Sequence, residues 1–283
     1  MSDDKSIFTE LTHKSYPDQA KWYLNGFWSE GAQAEAENIW KFAHKFIELD
    51  QQNKKGGHKL DEFWSHKFLE DIKESHTVIA LRNKLREANM QVNGNHMSLL
   101  EYLSFRYNKS LKAVAHAPQG EGDPREIEEA QAKLEAVQSA LEAQRAQEEA
   151  VKQAEADQKA ALADLNKQEE EYKTLVSSLE TKSKDSAISL VQRNKAAAEL
   201  SQVKSEDPLP LRKAKITSEA TVRKLAKERK LAEEKTAQSE ARFQEAVDFL
   251  EQVKRKGSVA FGSIWWMEKE LHEAKKFLPK SKQ

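Results

Sequence analysis

Side-chain oxygens recur at alternate positions in one polar stretch of the chain, 89–98, NMQVNGNHMS. They belong to Asn89, Gln91 and Asn93, with Gly94 next and Glu101 further on. Oxygen donors at the first, third and fifth places, glycine at the sixth and a bidentate glutamate at the twelfth make a calcium loop. Counted from Asn89, the donors are neutral amides and the glutamate falls one place late, at thirteen. A divalent cation loses three carboxylates and its register there. The loop Asn89, Gln91, Asn93, Glu101 is therefore read as vestigial, with no metal expected. Calcium is the one cofactor the pattern resembles. A second polar stretch, 50–59, DQQNKKGGHK, puts Lys54, Lys55 and Lys59 where such a loop needs anions. Seven of the eight histidines lie in residues 1–117, without the H-x₃-H spacing of a zinc site. His58, His66 and His76 are read as surface or hydrogen-bonded side chains. No glycine-rich phosphate loop, nucleophile motif or placeable acid–base pair occurs, so an enzyme is not expected.

Loops of this kind need helices on both sides. Apolar residues at helical spacing predict helices over 18–50, 60–74, 77–88 and 99–114, with Gly26 and Gly31 able to bend or split the first. Phe63, Trp64, Phe68, Leu69 and Ile72 are expected on one side of the second, and Ile79, Leu81 and Leu85 on the apolar side of the third. Helix, loop, helix, twice over, is the layout of paired EF-hands. Residues 1–16 read as a frayed lead, and 116–123, HAPQGEGD, as a linker.

Beyond the linker the pattern changes to heptads. Ile127, Leu134, Leu141, Glu148, Glu155, Leu162, Glu169 and Val176 step by seven. Ala130, Val137, Gln144, Val151, Gln158, Leu165, Tyr172 and Leu179 interleave with them. That stripe calls for a partner helix; at 1.5 Å per residue the helix would be roughly 80–90 Å long. Residues 181–187 break the pattern, a short helix follows to 204, and Pro208 and Pro210 end it. A weaker stepping resumes at Val222 and Leu225 and runs to about 256. Residues 121–185 hold 17 acids and nine bases, whereas 206–283 hold 13 acids and 18 bases. Opposite charge on facing arms suits an antiparallel hairpin, although each exposed pair contributes little.

The expected fold is all-α. It comprises an EF-hand-like helical domain (1–115), the linker 116–123, and antiparallel coiled-coil arms (124–256) with a kink or break near 183–210. A short C-terminal helix closes the chain within 257–283. Aromatic content agrees with this division: fifteen of the 22 aromatics fall in 1–117, and Tyr172 is the only one in 118–242. A net charge of −1 argues against a nucleic-acid partner. The absence of cysteine removes disulfides and fits a cytoplasmic setting. No apolar run is long enough to cross a membrane, and the N-terminal residues do not read as a signal peptide.

Two further groups remain. Basic residues cluster at Arg223, Lys224, Lys227, Arg229 and Lys230, at Lys254, Arg255 and Lys256, and at Lys275 and Lys276. Taken alone, they read as solvated helix faces paired with nearby glutamates. The tail, GSIWWMEKELHEAKK, carries Ile264, Trp265, Trp266, Met267 and Leu271 as the apolar face of a last helix. It reads as a structural anchor, with a partner contact as the other reading, and two adjacent tryptophans cannot both face one way on a helix.

Three patches, WYLNGFWSEGAQAEAENIWKFA, NGNHMSLLEYLSFRY and GSIWWMEKELHEAKK, resemble the calcium-regulated actin-bundling proteins first known from slime moulds. The order of head, long helices and I-W-W-M tail is also similar. The resemblance implies a cytoskeletal protein of the cytoplasm that binds and crosslinks F-actin, chiefly through its helical C-terminal part. Crosslinking needs two filament contacts per particle, which a monomer could carry on one rod or a homodimer one on each chain. Actin filaments are acidic, so the ten clustered cations become the candidate actin-binding residues. The family's loop pattern, D-x-N-x-D-G, is replaced here by Asn89, Gln91 and Asn93 with one residue inserted before Glu101, so the resemblance does not carry calcium control. The other reading is a coiled-coil scaffold or membrane-surface adaptor without actin affinity.

Overall fold

The computed structural model describes residues 2–74, 76–120, 123–257 and 260–278. Parts of the expected linker (121–122) and of the C-terminal segment (258–259, 279–283) lie outside the described residues. The described chain is helical apart from one two-residue strand pair. Its contacts group it into two compact units, residues 1–136 with 243–276, and residues 137–242 with Phe277 and Leu278.

In the first unit, α1 (Ser2–Thr12) corrects the expected frayed lead. Phe8 and Leu11 on it are buried, and it packs against α6 (Leu99–Arg106) and α7 (Leu111–Ala115). A single apolar turn gives little sequence signal, and the helix is held by this burial, worth about 2 kcal/mol per large side chain. Helix α2 (Tyr16–Phe27) opens where the Ser15 hydroxyl accepts the Asp18 N–H, with Pro17 in its first turn. A 3₁₀ turn and Gly31, at φ +110°, separate it from α3 (Ala32–Leu49). The positive φ explains why the 18–50 segment splits there.

Helices α4 (Glu62–Asp71) and α5 (Val78–Glu87) are capped by Asp61 and Thr77. Phe68 and Leu69 of α4 are buried, but Phe63 on it and Ile79 on α5 are exposed, contrary to the single apolar sides expected. The predicted 99–114 helix is two helices, α6 and α7, joined through Asn108 at φ 50° with Ser110 capping the second. The core is a ring cluster that ties α3, α4 and α6 together: Phe46–Phe68 at 4.5 Å, Phe68–Tyr102 at 4.9 Å and Phe42–Tyr102 at 5.3 Å. The two polar loops meet where β1 (Lys59–Leu60) pairs antiparallel with β2 (Met97–Ser98), Lys59 opposite Ser98.

The long helices are α8 (Pro124–Lys184) and α10 (Leu209–Arg255), with α9 (Leu190–Ser205) between them in sequence. α9 begins in a reciprocal capping box of Ser189 and Gln192. Pro210 stands in the first turn of α10, where its missing N–H costs nothing. α8 and α10 run antiparallel. In the first unit Lys133 pairs with Glu245 at 2.7 Å; in the second, Glu155 pairs with Arg229 and Asp157 with Lys224, both at 2.8 Å. The heptad positions Val137, Leu141 and Gln144 are buried as expected. Further along the stripe departs from strict sevens: Glu155 is exposed and Leu162 is 49% exposed, while Ala154 and Ala161, one residue earlier, are buried. The 3-4 alternation takes an extra step of three between Gln144 and Ala154 (144, 147, 151, 154), which moves the contact to the preceding residue; the drift of a straight 3.6-residue helix would move it to the following one.

Candidate functional site

The first candidate is the 89–101 loop. Ser98 caps α6 in a capping box with Glu101, and the Glu101 side chain, on a residue only 1% exposed, turns back into the loop. Its Oε1 accepts the backbone N–H of Val92 (3.0 Å) and of Asn93 (3.3 Å). Its Oε2 accepts Asn93 Nδ2 (3.0 Å), Ser98 N and Ser98 Oγ (both 2.9 Å). Five donors thus converge on the carboxylate that would have to grip a cation. Of the other candidate ligands, Asn89 Oδ1 accepts from Lys5, and Gln91 Oε1 accepts from Arg86 while its Nε2 donates to Gly94 O. Two of the oxygens face cationic side chains, and Glu101 is held by N–H and O–H groups. This donor set does not fit a calcium ion, and no three metal-ligating side chains gather among the described residues.

The second candidate is the tail, α11 (Phe261–Lys275), which packs in the first unit on α2 and α3. Ile264, Trp266, Met267 and Leu271 are buried, and Trp266 joins the main core. Trp265 is half-buried at the edge of the same core, beside Trp28 with 6.5 Å between rings. Ala260, at the N-cap, has no side-chain acceptor, and Asn25 of α2 supplies one in its place. Asn25 Oδ1 accepts Ser263 N–H at 2.8 Å, and Asn25 Nδ2 donates to Ser263 Oγ at 2.9 Å. Gly262 permits the approach, since a Cβ there would meet Asn25 N and Leu24 Cβ at 2.5 Å. Deeper along α11, the Glu270 carboxylate accepts from Trp40 Nε1 at 2.9 Å and lies 2.6 Å from His44 Nε2. Burial alone would push the Glu270 carboxyl up, but the hydrogen bond and charge of His44, with Trp40, outweigh it and hold the group below the ordinary carboxylate range.

The third candidate is the set of clustered cations, which the structure divides. Lys224 and Arg229 turn toward α8 and pair with Asp157 and Glu155. Lys254, Arg255 and Lys256 pair with Glu268, Glu251 and Glu126 in the first unit. Lys276, just beyond α11, pairs with Glu273, and Lys275 is the last residue of that helix. Arg223, Lys227 and Lys230 remain together on one exposed face of α10 in the second unit. Sequence reasoning missed what continues that face. Leu209, Lys213, Ile216, Ala220, Arg223, Lys227 and Lys230 follow 4-3 spacing within a stripe about 100° wide. Leu209 is 59% and Ile216 64% exposed. Lys213, Lys227 and Lys230 form no ion pair among the described residues, and Arg223 reaches Glu219 at 3.5 Å. Ile216 and Ala220 border a shallow groove of about 620 Å³ against Ala160 and Ala161 of α8. The spacing was legible in the sequence, but it resembled a buried seam, and only the position of α8 shows that it faces outward. Large apolar groups set among exposed cations, on a rigid helix, suit a macromolecular surface of opposite charge.

Comparison with known proteins bears on this face. The profile of the family described as F actin bundling C terminal matches residues 96–257, which include the whole stripe. The crystal structure of the 34 kDa F-actin bundling protein from Dictyostelium discoideum is similar over 99% of this chain and 98% of that one. The TM-score is 0.53 and the identity 20%, a likeness of fold. No curated sequence matches the chain.

Proposed function

The chain belongs to the F actin bundling C-terminal family, and from that premise we propose that it binds actin filaments and crosslinks them through the outward stripe of α10. The observation that carries this reading is the family match over 96–257. Lys213, Arg223, Lys227 and Lys230 supply attraction to an acidic filament, which salt weakens within a Debye length of about 10 Å at 0.1 M. Leu209 and Ile216 supply the apolar contacts that lose water on docking. The protein acts as a structural element of the cytoskeleton in the cytoplasm and not as a catalyst. Calcium takes no part, because the 89–101 loop satisfies its carboxylate internally. No observation favours the scaffold or membrane-surface reading.

Cosedimentation with actin filaments at two speeds tests the proposal. The wild-type chain should pellet with filaments at high speed and draw them down as bundles at low speed. Lys227→Glu with Lys230→Glu should weaken high-speed binding about tenfold or more, the effect of losing two charge contacts of roughly 0.7 kcal/mol each. Failure of the wild-type chain to pellet at low ionic strength would remove the reading.

A further inference from the structure

The tail buries Ile264, Trp266 and Met267, which leaves two of its aromatic residues partly exposed. Phe261 opens α11 and is 48% exposed; Trp265 follows one turn later and is half-buried. Residues four apart on a helix share a face, and the half-buried Trp28 of the 3₁₀ turn meets this one. Its ring lies 6.5 Å from that of Phe261, nearly parallel at 21°, and 6.5 Å from that of Trp265, tilted by 51°. Three adjoining rings thus make one partly exposed aromatic surface within the first unit.

The tryptophans differ in their hydrogen bonds. Trp22 Nε1 donates to Val114 O at 3.0 Å, and Trp40 Nε1 to the Glu270 carboxylate at 2.9 Å. Trp28 and Trp265 donate to nothing among the described residues, and neither N–H is sealed from solvent. An indole N–H is a donor without acceptor capacity. The charges within a turn of the rings on the same two elements are paired. Glu30 pairs with Lys109 at 2.7 Å, Glu268 with Lys254, and Lys269 with Glu37 at 3.0 Å and Glu273 at 3.1 Å. The surface therefore offers apolar faces and spare donors, with its neighbouring charges already matched.

That combination selects an occupant. An acidic surface or a charged lipid headgroup gains little attraction from paired charges. A docking helix has its backbone carbonyls engaged within itself, so the indole N–H groups would lose water without gaining acceptors. A proline-rich segment is the complement: its rings are apolar, proline has no N–H, and its carbonyls stay unbonded in the polyproline II conformation. The spacing agrees. Phe261 and Trp265 are separated by a rise of roughly 6 Å along α11, and two residues of polyproline II rise by about 6 Å. We infer that Trp28, Phe261 and Trp265 form a docking surface for a proline-rich segment of a partner protein, bound as a polyproline II helix. This contact uses no residue of the α10 stripe and does not rest on the actin reading.

The test titrates the ¹⁵N-labelled full chain with a decaproline peptide and, separately, with a glycine–serine peptide of equal length. The indole N–H signals of Trp28 and Trp265 should shift with decaproline, while those of Trp22 and Trp40, bonded internally, stay in place. Phe261→Ala should weaken binding at least about fivefold. Trp28→Phe keeps a ring and removes one donor, and should weaken it about threefold. Melting curves matched to wild type confirm that both variants are folded. No shift at roughly 1 mM decaproline, or equal shifts with the glycine–serine peptide, would overturn the inference. Undiminished binding by Phe261→Ala would do the same. Movement of the two signals with protein concentration alone would assign the surface to a second copy of the chain instead.

Discussion

Asn93 donates its side-chain amide to the Glu101 carboxylate at 3.0 Å, across the turn that a calcium ion would otherwise occupy. The same carboxylate closes the capping box of α6, so one buried side chain fixes both the loop and the helix that follows it. Glu101→Ala should leave the N–H groups of Val92, Asn93 and Ser98 without acceptors. A loss of about 2–4 kcal/mol is expected, read as a lower urea midpoint at unchanged slope. An unchanged midpoint would mean that water replaces the carboxylate at no cost.

The internal closure of this loop also predicts indifference to calcium. Titration of the wild-type chain should give no binding heat in the micromolar range typical of sensor loops. Bundling should be the same with calcium and with chelator. Heat of binding, or bundles that dissolve on adding calcium, would contradict the geometry.

Helix α11 depends on a cap supplied from another helix. Asn25→Ala should cost about 1 kcal/mol, as loss of an N-cap does. Gly262→Ala should cost more, since its Cβ would meet backbone that has no room to move. Trp266 fluorescence should shift toward the red as the tail undocks. A Gly262→Ala variant with the wild-type spectrum would show that the contact is looser than described.

Glu270 gives the tail a pH dependence. Its folded pKa is lowered, so its contribution is present above the unfolded pKa of about 4.3 and is lost as pH falls through the folded value. Glu270→Gln should lower stability at neutral pH and flatten the stability–pH slope on the acid side. Equal slopes in the two proteins would assign acid unfolding to other carboxylates.

In the second unit, Gln144 and Ser239 form a buried hydrogen bond between α8 and α10. Ser239→Ala alone should cost about 1–2 kcal/mol by leaving the Gln144 oxygen unpaired. Adding Gln144→Leu should recover much of that loss while weakening the preference for a single register. A double variant no more stable than the single one would argue against this account.

The sequence by itself determined most of the helices, the two polar loops, the break near 183–210 and the apolar tail. Each of these depends on neighbours a few residues apart, through 3.6-residue periodicity, caps, proline and glycine. It also showed the missing carboxylates of the 89–101 loop, because ligand identity is written in the residues. The tertiary structure decided which groups meet across long separations. The seam of α8 takes Ala161 and leaves Leu162 49% exposed, against the residue types, because the position of the facing helix decides which side is covered. α1 is ordered by a core that its own eleven residues do not announce. Asn25 is a polar residue like many others until α11 is placed over it, 238 positions away in sequence. Ten cations of one composition divide into those paired with glutamates or aspartates and those left facing solvent only once the partner helix has a position. Burial and pairing depend on that long-range geometry, and no local pattern encodes it.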